Sequence, residues 1–278
     1  MRSADDSDVD RCDEPAAVQG SAIVIAGLRL ATGFLTILPV RPTNEIPPSL
    51  ARAAMLWGWL AVAPIALLAA VLGGIGHALG LPALLAGASV VGMVAWGTRA
   101  LHLDGLADTI DGLGSGRESD RALQVMRRGD VGPMGVVGLV LAILTQAAGF
   151  GAVLTRPWGW LQVAAILMAA RAALALGCAR DVPAARPDGL GALFASTVPR
   201  GAAAGLWGAM ALLMAGASAL AGQPWWQGLL AAGAAMAGVQ LLLARCVRRL
   251  GGISGDVLGA LVETAATLLV VATAIELA

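Results

Sequence analysis

Apolar runs of roughly the twenty residues that carry an α-helix across a bilayer recur seven times, at 53–76, 81–100, 131–153, 159–178, 201–221, 225–244 and 256–277. A soluble amphipathic helix keeps a polar face, and these runs have none. With 58% hydrophobic and only 13% charged residues, the chain is expected to be an all-α polytopic integral membrane helical bundle with seven transmembrane helices. An eighth apolar stretch, 21–38, contains Arg29 and is closed by Pro39, Pro42, Pro47 and Pro48, which leaves open whether it spans or lies in the interface. The acidic residues 1–20 read as a disordered tail, and 21–278 as one membrane-embedded catalytic domain.

Loop charges orient the bundle. Arg41 and Arg52, then Arg117, Arg121, Arg127 and Arg128, then Arg180, Arg186 and Arg200, then Arg245, Arg248 and Arg249 occupy every second connection, whereas 77–82, 155–159 and 221–225 hold Arg156 alone. The basic loops are therefore expected on the cytoplasmic side of a bacterial inner membrane, bacterial because all 18 basic residues are Arg in an Ala- and Gly-rich chain. Trp158, Trp160, Trp225 and Trp226 fall at helix boundaries, where aromatic anchors belong. A net charge of zero argues against nucleic acid as a partner. The three cysteines and two histidines lack zinc-site spacing.

One basic loop opens on HLDGLADTIDGLGSG, 102–116. In a helix, Asp104, Asp108 and Asp111 stand at i, i+4 and i+7 on one face. Three carboxylates on a stripe beside a bilayer repel one another and need a cation. A divalent ion with hard oxygen ligands satisfies that need, and Mg²⁺ suits a site whose remaining ligands are phosphate oxygens. The Asp-Gly pairs at 104–105 and 111–112 allow close approach. Beyond them Arg127 and Arg128 can meet phosphate, and Asp130 can add a ligand or an ion pair. Acids for metal, arginines for phosphate and glycines for access suggest phosphoryl transfer. Arg171, inside an apolar run, is expected to face the bundle interior and meet an acid or a phosphate.

HLDGLADTIDGLGSG, MRRGDVGPMG at 126–135, DGLGALFA at 188–195, GGISGDVLGALVE at 251–263 and TGFLTILPV at 32–40 together resemble the cobalamin synthase family, adenosylcobinamide-GDP ribazoletransferase, from about residue 30 to the C-terminus. The resemblance implies a polytopic, Mg²⁺-dependent transferase. Its substrates would be adenosylcobinamide-GDP and α-ribazole or its 5′-phosphate, and it would release GMP. It carries His102, Asp104, Asp108 and Asp111 over as catalytic residues, with the three acids as metal ligands. His102 is then a candidate base for the ribazole hydroxyl. It also favours a substrate role for Asp256, which could otherwise be only a helix N-cap. Glu263, one turn beyond Gly259 in the same helix, is a second buried acid and a candidate partner for Arg171. One departure stands out: where many members read Met-Lys-Asp-Ser-Arg-Val-Gly, this chain reads Met126-Arg127-Arg128-Gly129-Asp130-Val131-Gly132, with acid and base exchanged.

Two rivals are weighed. The CDP-alcohol phosphotransferase pattern fails on spacing, because its later aspartates would fall on Ala122 and Met126. A membrane transporter with an acidic ion-coupling site remains the non-enzyme alternative, and a homo-oligomer is left open. The topology predicts that cysteines placed at Ser115 and at Gln223 react with a membrane-impermeant maleimide from opposite sides; same-side labelling would overturn the orientation.

Overall fold

The computed structural model describes residues 16–41, 45–116, 119–126 and 130–276, without the side chains of 16–20, 120, 121 and 125. These residues form thirteen α-helices and two isolated β-bridges, with no strand among them. Six helices are long and apolar enough to cross a membrane, and a bent pair makes a seventh crossing if counted as one span. The expected all-α bundle is what the chain adopts.

Helices α1 (Ala16–Leu35) and α2 (Pro48–Ala61) pack as a hairpin, and α2 runs on into α3 (Ala63–Ala78) as one span. The break between them falls at Val62, just before Pro64, which has no N–H to continue the ladder. The apolar part of α1, Ser21–Leu35, is about 22 Å long at helical rise, shorter than a standard hydrocarbon core. After α4 (Ala83–Gly97) and α5 (Leu101–Gly114) come α6 (Ser119–Met126), which buries Ala122, Leu123 and Met126, and α7 (Pro133–Leu154). Helices α8 (Gly159–Ala170) and α9 (Ala172–Gly177) form one span interrupted at Arg171. The short α10 (Gly189–Phe194) precedes α11 (Arg200–Leu220), α12 (Trp225–Leu250) and α13 (Gly255–Ala274).

The run expected to span as 81–100 does not continue straight. α4 stops at Gly97 and α5 leaves it at 92°, so the acidic stretch is a helix folded across the end of the crossing rather than a loop. Arg99 and Ala100 form the corner with φ of 55° and 54°, a region that costs non-glycine residues roughly 1–3 kcal/mol each. Local bonds hold them there. Ala100 N donates to Ala95 O at 2.6 Å, and the Arg99 guanidinium donates to Gly33 O and Phe34 O at the C-terminus of α1.

The helix ends sort into two groups. On one side Arg52 Nε donates to Thr197 O, and the 183–185 segment pairs with 251–253, joining the basic loops. On the other, Arg156 Nη1 donates to Thr273 O, Arg156 Nη2 to Ala274 O at 3.0 Å, Gln223 to Thr273 O at 3.0 Å and Gln227 to Ile275 O at 2.6 Å. The carbonyls that end α13 would otherwise lack partners. The single arginine of the poorly charged connections is thus a helix C-terminal cap, where a cation also meets the negative end of the helix dipole. Trp158 and Trp225 stay exposed at this end. Arg156→Ala should lower the thermal midpoint of the detergent-solubilised protein by the equivalent of about 1.5–3 kcal/mol, with Arg156→Lys falling between. An unchanged midpoint would remove Arg156 from the cap.

Candidate active site

α5 touches α13 through glycine. A Cβ on Gly105 would sit 2.5 Å from Asp256 O, and one on Gly259 would sit 3.1 Å from the Cα and carbonyl oxygen of His102. No side chain larger than hydrogen fits at Gly105 without moving backbone. The contact sets Asp104 of α5 and Asp256 of α13 into the wall of one cleft, which is otherwise lined by apolar groups such as Phe34, Leu35, Met55 and Phe194. Phe34 and Phe194 meet edge to face at 5.7 Å.

Asp104, Asp108 and Asp111 do lie in one helix, but their surroundings differ. Asp104 is exposed and Asp108 half-buried, and Asp108 lies within electrostatic reach of Asp256, Asp104, Asp111 and Asp130. Asp111 is buried and fully engaged: Oδ2 accepts from Gly132 N at 2.7 Å and Oδ1 from Gly135 N at 2.9 Å. Gly132 is the N-cap of α7 and has no side chain with which to cap it. Asp111 does so from another helix, in the charge-assisted geometry that anions adopt at helix N-termini. The periodicity cannot distinguish this from a metal ligand, since both place an acid on the same face.

Asp256 does not cap its own helix. That place belongs to Ser254, whose Oγ accepts from Val257 N at 3.2 Å and donates to Asp256 Oδ2 at 3.1 Å. Asp256 is left turned to the cleft, with Arg186 Nη2 at 3.7 Å. His102 lines the same cleft, buried, with neither ring nitrogen bonded to the protein among the described residues. Asp130 is exposed just before α7. Arg127 and Arg128 lie outside the described residues.

Arg171 stands apart. It is buried in the bundle interior as expected, but its chamber is lined by Thr98, Leu103, Gln146 and Glu263 rather than by the acids of the cleft, and within electrostatic reach it meets the cleft's His102. Its Nη1 donates to Leu167 O at 3.0 Å, while Glu263 takes its hydrogen bond from Gln146 at 2.8 Å and faces Arg171 as the nearby opposite charge.

Sequence reasoning missed Arg186, which appeared only as one loop charge among several. What brings it to Asp256 is a backbone clamp, Ala185 N to Ile253 O at 2.8 Å and Ile253 N to Pro183 O at 2.9 Å, for which no side-chain pattern is a signal. Together with Asp188, Leu190, Ser254 and Gly255, Arg186 lines a second, more polar cavity of about 240 Å³ that adjoins the first at Leu190, Gly255 and Asp256.

Among the described residues no three acids, histidines or cysteines converge into a ready-made metal cage. The donor set still fits a hard divalent ion of the Mg²⁺ kind, which takes one or two carboxylates and completes its shell with water and substrate phosphate. Asp104, Asp108 and Asp256 crowd negative charge at the cleft, and Arg186 is the one cation the described residues bring against it.

No solved structure matches the chain. Curated relatives do. An adenosylcobinamide-GDP ribazoletransferase of a Nocardioides species is 43% identical over 243 residues, covering 87% of this chain and 96% of the relative. Proteins of the same name from Frankia casuarinae and Bradyrhizobium diazoefficiens are 39% and 37% identical, covering 89% and 91% of this chain and 94% and 95% of their own lengths. The family model for cobalamin-5-phosphate synthase matches residues 27–274, and with these relatives it places the chain in the cobalamin-5-phosphate synthase family.

Proposed function

We propose that this chain is an adenosylcobinamide-GDP ribazoletransferase of a bacterial inner membrane, working from the cytoplasmic face with Mg²⁺. The carrying observation is the α5–α13 crossing, which gathers Asp104, Asp108 and Asp256 beside an apolar cleft at the end of the bundle that holds the basic loops. A transporter's coupling acids have no need of an adjoining polar cavity with an arginine in it.

The reaction joins the 5′-hydroxyl oxygen of α-ribazole, or of its 5′-phosphate, to the phosphorus on the corrinoid arm of adenosylcobinamide-GDP. The bond from that phosphorus to the bridging oxygen breaks, and GMP leaves. One or two of the carboxylates Asp104, Asp108 and Asp256 would hold Mg²⁺, whose chemistry is to neutralise the diphosphate and stabilise the charge on the departing phosphate. The apolar cleft wall excludes water that would hydrolyse the donor instead. His102 lines the cleft with both ring nitrogens buried and, among the described residues, unbonded; once bound substrate reaches one of them, it takes the hydroxyl proton as the new bond forms. Asp111 serves by holding the start of α7 against α5 rather than by touching substrate.

The purified protein, given adenosylcobinamide-GDP and α-ribazole, should release GMP only with Mg²⁺. Turnover of neither substrate by well-folded protein would return the chain to the transporter reading. Asp104→Asn should cut kcat by about 10²–10³-fold, the scale of one lost transition-state contact, without lowering the thermal midpoint. Asp111→Asn should show the reverse emphasis. Its midpoint should fall by the equivalent of about 1.5–3 kcal/mol because the α7 amides lose a charged acceptor, and an unchanged midpoint would make Asp111 a site residue after all.

A further inference from the structure

Arg186 is poorly used by the protein itself. Among the described residues its guanidinium makes no hydrogen bond, and its one ion pair, to Asp256, is long at 3.7 Å. Asp256 in turn keeps its shorter bond to Ser254. A guanidinium carries five N–H donors in a planar fork suited to carboxylate or phosphate oxygens, so nearly all of its capacity faces the cavity that it lines. Among the described residues it is also the sole arginine lining either of the two adjoining cavities. The 183–185 to 251–253 clamp fixes the backbone beside it, so the group is held in place rather than trailing in solvent.

The cavity has a size to match. At about 240 Å³ it falls below the roughly 300–1,000 Å³ of sites that enclose a whole drug-sized ligand. It can take one end of a large substrate, a phosphate and its sugar, while a corrinoid must stay outside. Its shared wall with the acid-lined cleft is Leu190, Gly255 and Asp256, so a phosphate bound to Arg186 would lie directly beside the Asp256 carboxylate, one of those proposed to hold the metal.

We propose that this cavity is a nucleotide-phosphate pocket in which Arg186 exchanges its loose contact with Asp256 for phosphoryl oxygens, freeing the Asp256 carboxylate. The proposal rests on the transferase reading and extends it. Arg186 binds one phosphate, supplied either by the GDP moiety of the donor or by a 5′-phosphorylated acceptor. Binding of that phosphate and release of Asp256 become one event.

Full-length protein in detergent, as wild type, Arg186→Gln and Arg186→Lys, is assayed for the KM of adenosylcobinamide-GDP, of α-ribazole and of α-ribazole 5′-phosphate, and for inhibition by GMP. With the donor's phosphate in the pocket, Arg186→Gln raises the donor KM and the GMP inhibition constant together by about tenfold or more, the α-ribazole KM is unmoved, and Arg186→Lys recovers part of the loss. A rise confined to α-ribazole 5′-phosphate supports the same pocket with the acceptor's phosphate in it. If both KM sets and GMP inhibition stay at wild-type values while only kcat falls, Arg186 merely neutralises Asp256 and the proposal is wrong. Should wild-type protein not turn over, the transferase reading fails first. Equilibrium dialysis with radiolabelled GMP and Mg²⁺ then decides the pocket: retention by wild type and loss in Arg186→Gln upholds it, and no retention rejects it.

Discussion

Two helices that meet without side chains between them are the constraint on which the site depends. Gly105 lies against the Asp256 carbonyl, and Gly259 against the backbone of His102, so α5 and α13 approach to backbone distance. Inside a membrane, where lipid is as apolar as the helices it surrounds, close van der Waals packing through small residues is a main source of helix association. Here it also sets Asp104 and Asp256 into the wall of one cleft. Moving α5 outward by one methyl group would separate Asp104 from Asp256 and open the cleft wall that carries His102.

Around this crossing, charge is arranged by depth. Outermost are the acids with solvent access, against which the described residues bring only Arg186. Deeper, Asp111 gives both oxygens to backbone amides and so fixes the angle at which α7 starts. Deeper still, Arg171 faces Glu263 across a chamber that includes Gln146. A buried charge is costly unless an opposite charge and hydrogen bonds meet it, and Arg171 has Glu263 within electrostatic reach and a hydrogen bond to Leu167 O. Arg171 sits at the α8–α9 interruption, and its chamber includes Leu103 of α5, backing the acidic helix from behind as α13 does from the side.

Much of this could be read from the residues alone. Length and hydropathy dictate the spans, because an apolar run of sufficient length in a bilayer has one economical conformation, and the spacing of Asp104, Asp108 and Asp111 fits the single helix that holds them. Two things were hidden. The 92° corner falls inside a stretch whose composition stays apolar, and neither Arg99 nor Ala100 is a residue type that announces a left-handed turn. The distinct role of Asp111 was invisible for another reason. A periodic pattern reports which face a side chain occupies, but not whether a partner helix brings amides to that face. Arg186 is the same problem in reverse, a loop residue whose neighbours are chosen by backbone pairing 68 residues further along the chain, Ala185 with Ile253.

The corner at Arg99 also bears on how the chain assembles. Arg99 donates to the carbonyls of Gly33 and Phe34, 66 and 65 residues earlier, and Ile37 N donates to Gly97 O at 2.9 Å. During synthesis the α1–α2 hairpin therefore emerges with these groups unmet and must wait for about two more helices before the corner arrives to receive them. Closing that long loop is a late, non-local event of the kind that slows folding. The first helix to leave the ribosome is thus locked only after α4 has emerged, and the apolar cleft wall that Phe34 and Leu35 provide is completed once α5 and Phe194 of α10 have followed.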